Sequence, residues 1–108
     1  MNFDKLVLKD PSGNEVTIDA QSFGLAIALG EMRSHVAEQM KKSIQNPMMV
    51  VEGSNGERLY CLGYKVPQLH FFISHVINKE EKWYVDYYTL EYDENIMHRM
   101  IQEDKKVF

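Results

Sequence analysis

The chain has 108 residues, an apolar fraction of 44% and a formal charge of −4 from 16 acidic and 12 basic side chains. That is the size of one domain with one core, spanning residues 1–108, and it is too apolar for a disordered segment. The negative balance, with Lys41-Lys42 and Lys105-Lys106 as the adjacent basic pairs, argues against a general nucleic-acid binder and fits a protein that meets a basic partner or has no charged partner at all.

Cys61 is the sole cysteine, which excludes an intramolecular disulfide and a cysteine-built zinc site and suits a reducing compartment. No run of about 18 apolar residues is present, and the first ten residues lack a leader-like apolar stretch, so a cytoplasmic protein that does not enter a membrane is expected.

The first elements are two short strands, around Phe3, Leu6 and Leu8 and around Val16 and Ile18, joined by a turn containing Pro11 and Gly13. Leu25, Leu29, Met32, Val36, Met40 and Ile44 then recur at helical spacing. They predict one amphipathic helix of about 24 residues, roughly 36 Å long, capped by Asp19 or Ser22 and stopped at Asn46-Pro47, with Gly24 and Gly30 leaving open a kink or two consecutive helices meeting near Gly30.

From Met48 to Tyr92 the pattern is β. One hairpin turns at Asn55-Gly56, and a second joins two aromatic-rich runs through "NKEE". Ile96, Met97, Met100 and Ile101 restore helical spacing after Asp93, a suitable N-cap, with Lys105 and Lys106 placed for the far end of the helix dipole. The fold class expected is α+β: an N-terminal β-hairpin, a long helix, a four-stranded antiparallel meander and a C-terminal helix, with the helices over one sheet face.

Candidate chemistry is sparse. His35 belongs to the long helix, His70 and His75 to the third strand of the meander, and His98 to the last helix; no HExxH spacing, Walker loop, GxGxxG, nucleophile elbow or EF-hand loop occurs, and no metal or cofactor is implied. Being five apart, His70 and His75 point to opposite faces of a regular strand. Strict alternation places Trp83, Val85, Tyr87 and Thr89 on one face of the last strand and Tyr84, Asp86, Tyr88 and Leu90 on the other. Aromatics on both faces indicate either packing of the N-terminal hairpin against the sheet or a binding surface built on Trp83, Tyr84, Asp86 and Tyr88. Asp86 in that run needs a partner or solvent, and Arg58 is a candidate cation for it. Cys61, without basic neighbours in sequence, reads as an inert buried thiol.

From His35 to Glu94 the layout resembles the barnase/RelE superfamily of small metal-independent ribonucleases, phage-associated members above all. The resemblance is carried by a helix ending in "IQNP" (Ile44 to Pro47), the following "VVEG", and strands in succession. It implies RNA cleavage through a 2′,3′-cyclic phosphate, or a domain that has lost that activity, with His35, Arg58, His70, His75 and Tyr88 as the residues of suitable type. The sequence departs from the family in leaving His35 alone on its helix and in its acidic balance. Two further readings stay open. One is an acidic binding protein, such as an antitoxin, an immunity protein or a phage-encoded inhibitor of a nucleic-acid-binding defence enzyme; the other is a module that forms a homodimer through "KWYVDYY".

Overall fold

The computed structural model describes residues 5–19, 34–53, 55–66, 68–103 and 105–106. They form strands β1 (Lys5–Lys9), β2 (Glu15–Asp19), β3 (Met49–Glu52), β4 (Arg58–Tyr64), β5 (His70–Lys79), β6 (Lys82–Glu91) and β7 (Lys105–Lys106), and helices α1 (Ser34–Gln45) and α2 (Glu94–Glu103). All seven strands belong to one sheet in the order β1-β2-β6-β5-β4-β3-β7.

This corrects the expected α+β layout of hairpin, long helix, free-standing meander and closing helix. The N-terminal hairpin does not pack on a sheet face; β2 joins the side of β6 in parallel, at Val16↔Trp83 and Thr17↔Tyr84, which makes the sheet mixed. Backbone pairing satisfies polar groups of the β6 edge at these positions, which stacking a hairpin on a face cannot do. Lys105 and Lys106 do not end a helix but pair with Glu52 and Val51 as β7. The described helix before Pro47 covers 12 residues; Gly24, Gly30 and the question of continuity lie outside the described residues.

Nor do the helices share a face. α1 lies on the first, where Met40 and Ile44 are fully buried with Val16, Tyr60, Phe72, Val76 and Val85. Its seat is polar at one point: the Ser43 hydroxyl donates to the Met40 carbonyl at 2.6 Å, which leaves its oxygen to accept from Ser74 of β5, also at 2.6 Å. Both serines are wholly buried, and each satisfies the other. On the opposite face, Glu94 and His98 of α2 share a cleft with Met49, Gly63 and Phe71. A second apolar cluster there comprises Met49, Val51, Leu59, Cys61, Phe71 and Ile73, all from β3, β4 and β5. The sheet is therefore apolar on both faces over β3 to β5, whereas Val7 and Thr89, on the second face of β1 and β6, remain exposed.

Local chemistry explains the turns. Asp10 accepts from the backbone N–H groups of Ser12 and Asn14 at 2.9 Å each, and Gly13, at φ +89°, closes the β1–β2 loop by donating to the Asp10 carbonyl. Asp93 caps α2 through Asn95 N–H at 2.8 Å. The β5–β6 turn is less well matched to its residues: Glu80 (φ 53°) and Glu81 (φ 67°) both occupy the left-handed region between the paired Lys79 and Lys82. A two-residue turn of this kind favours Asn-Gly, and a left-handed residue with a Cβ is penalised by about 1 kcal/mol. Replacing Glu80→Asn and Glu81→Gly together is expected to stabilise the protein by about 1 to 2 kcal/mol, read as a higher urea midpoint with unchanged slope.

Candidate functional site

The residues proposed for phosphodiester chemistry do not converge. Arg58 and His70 share the α1 face but stand at opposite ends of the β4–β5 pair, Arg58 across from Val76 and His70 across from Tyr64. Six strand steps separate those positions, about 20 Å at 3.3 Å per residue. His75 lies on the other face, opposite Leu59. Tyr88 is half-buried and stacks on Phe72 at 5.1 Å, packed against the core. His35 falls in the first turn of α1, and its side chain lies outside the described residues. Among the described residues no three His, Cys, Asp or Glu side chains gather to hold a metal ion.

Arg58 is instead part of a buried polar cluster. The Asp10 carboxylate, in a residue 7% exposed, accepts the Tyr60 hydroxyl at 2.7 Å. Arg58 Nη1 approaches the same oxygen at 3.9 Å, and the guanidinium lies 4.5 Å above the Trp83 ring. Its Nε is buried and has no partner among the described residues. Asp10, 48 residues before Arg58, thus takes the place that Asp86 had in the sequence reading. Burial, then the hydrogen bond and charge of Asp10, hold the Tyr60 phenol far above its ordinary range, against the opposing effect of Arg58. Cys61 is likewise inert, its thiol pushed up to about 12 by burial.

The surface-exposed chemistry gathers on the second half of β6, through an irregularity that alternation cannot show. His75 faces Tyr87 while Val76 faces Val85, so Asp86 has no opposite number on β5 and forms a β-bulge. The bulge inverts the side-chain pattern beyond it. Trp83 and Val85 share the α1 face with Tyr88, whereas Tyr87 and Thr89 move to the other face and meet His75. The proposed partner-binding set is accordingly divided: Trp83 and Tyr88 pack against the core, half-buried Tyr84 lies on the second face, and Asp86 is exposed.

His75 stacks on Tyr87 at 4.1 Å, with Nε2 hydrogen-bonded to Thr89 Oγ1 at 2.8 Å. Burial lowers its pKa, and the nearby charges of Asp86 and Glu57 partly oppose that shift. At the far end of the strand, His70 is sandwiched between Tyr64 and Tyr92, at 5.3 Å from each, with Nδ1 bonded to the Gln68 carbonyl. Tyr87 is 48% exposed, Leu90 45% and Tyr92 52%, and exposed Asp86, Asp93 and Glu94 lie among and beside them. Tyr87, Leu90 and Tyr92 are the residues that alternation passed over; the signal for them is the single acid inside an apolar run, which marks where the alternation breaks.

Asp10→Ala is expected to lower stability by about 3 to 5 kcal/mol, because Arg58 and Tyr60 are left buried and unpaired; Asp10→Asn, which keeps the turn's acceptor, should lose less, both read from urea unfolding. A tyrosine whose folded pKa is raised contributes fully below its unfolded value, near 10, and loses that contribution as pH climbs above it. Alkaline unfolding profiles should therefore fall above about pH 10 in the natural protein and be flatter in Tyr60→Phe.

Compared with known families, characterised proteins and solved structures, the chain matches none.

Proposed function

We propose that this protein is a small acidic binding protein that engages a basic surface of a partner protein, with the second half of β6 as its contact. The observation that carries this reading is the second half of β6, which exposes Tyr87 on one face and Leu90 and Tyr92 on the other, interleaved in sequence with exposed Asp86, Asp93 and Glu94, in a stretch where no lysine or arginine occurs from Trp83 to His98. Aromatic side chains bring large contact area at low conformational entropy, and one-signed charge steers a complementary surface. An inhibitor or antitoxin of a nucleic-acid-binding enzyme is a protein of this kind, since its target presents a basic site.

Two features weigh against the ribonuclease alternative. The Arg58 charge faces Asp10 and Trp83 instead of a cleft, and among the described side chains the nearest histidine on its face, His70, is far along the sheet. In EDTA the purified protein is expected to leave single-stranded RNA intact; cleavage that vanishes in His70→Ala would replace the binding reading with metal-independent catalysis. A partner retained by the immobilised protein should elute with salt and be lost from a Tyr87→Ser/Tyr92→Ser variant whose melting temperature is little changed, because both side chains are about half exposed.

A further inference from the structure

We infer that the edge of β6 from Tyr87 to Glu91 is a strand-addition site, which takes an extended lysine- or arginine-bearing segment of the partner as one more strand of the sheet. The inference rests on the acidic-binding reading and specifies its mode.

One edge of this segment is paired with β5, from His75↔Tyr87 to Phe71↔Glu91. On its other side β2 pairs with Trp83 and Tyr84 alone, and no described residue pairs beyond the bulge at Asp86. Alternate residues of an edge strand direct N–H and C=O groups away from the sheet, a template for another backbone. Side-chain exposure has the same character. On β5, Phe71 to Ser74 are all buried, whereas on β6 Tyr87 and Thr89 are open on one face and Leu90 on the other. An added strand would supply cross-strand neighbours to both faces at once, and aromatic rings opposite aliphatic side chains are favourable pairs.

Charge selects the occupant. Asp86 precedes the segment, Glu91 ends it, and Asp93 and Glu94 follow. In a second copy laid antiparallel about Thr89, Asp86 of one chain would stand opposite Tyr92 of the other, diagonal to its Glu94 and with Glu91 and Asp93 on either side of that tyrosine, so like charges gather at both ends. A segment carrying lysine or arginine near its ends meets those acids with opposite charge.

The test uses the whole chain labelled with nitrogen-15, titrated with a short capped peptide alternating lysine and valine, with its fully N-methylated analogue, and with a peptide alternating glutamate and valine. The lysine peptide should shift the amides of Tyr87 to Glu91 and slow their hydrogen exchange. Its N-methylated analogue, unable to donate to the edge, should bind about tenfold or more weakly, and the glutamate peptide should not bind. Equal binding of the methylated and parent peptides would overturn strand addition and leave the acidic-binding reading standing. If no peptide moves a β6 amide, or shifts appear only elsewhere, both fall. If the same amides shift with protein concentration alone, the edge belongs to a second copy and the basic-segment proposal is overturned.

Discussion

The buried carboxylate of Asp10 is the interaction on which the arrangement of this sheet turns. The β1–β2 hairpin touches the rest of the sheet's backbone through a parallel junction of two register pairs, too short to define its position unaided. Asp10 supplies what the junction lacks. One oxygen organises the hairpin loop by accepting from Ser12 and Asn14, while the other takes the Tyr60 hydroxyl and lies near Arg58, both on β4. Because Arg58 also lies over Trp83, the cluster spans β4, β5 and β6 and holds the hairpin loop above them. A carboxylate in this setting must be paired or pay a large desolvation penalty, so the hairpin cannot slide without leaving several groups unsatisfied.

Among the described residues, where the hairpin stops decides where β6 is left unpaired. Its pairing with β6 ends at Tyr84, next to the extra residue Asp86, and the bulge both breaks the register and re-aims every side chain after it. Without the bulge, Tyr87 and Thr89 would continue on the α1 face after Trp83 and Val85, and Tyr88 would point away from Phe72. With it, Tyr88 reaches the core, and Tyr87 emerges beside His75 on the second face, beyond the apolar cluster that β3 to β5 bury there. One inserted residue thus converts what would be a uniformly half-buried strand into an anchored first half and an accessible second half.

The division of the sheet follows from the two helices. α1 packs through Met40, Ile44 and the Ser43–Ser74 contact, while α2 follows β6 over the opposite face before β7 pairs with β3 at the far edge. Strands β3 to β5 are accordingly buried on both faces and read as nearly continuous apolar runs, which is why Phe71 to Ile73 shows no alternation to interpret. β6 lies at the boundary between the two-sided and one-sided parts of the sheet. Its mixture of apolar, aromatic and acidic residues reflects that position.

By itself the sequence determined what depends on neighbours a few residues apart. Pro11 and Gly13 specify the first turn, Val36, Met40 and Ile44 mark the inward stripe of α1, and Asp93 identifies itself as a cap, because each acts on its own turn of chain. The burial of Cys61 was legible too, from an apolar strand without basic neighbours. Tertiary structure alone decided the rest. The parallel pairing of β2 with β6, the choice of Asp10 over Asp86 as partner of Arg58, and the placement of the helices on opposite faces all depend on contacts between residues distant along the chain. A β-bulge is likewise invisible to a rule of strict alternation, since it is defined by the strand across from it, and the exposure of Tyr87, Leu90 and Tyr92 follows from where that partner strand and the hairpin lie.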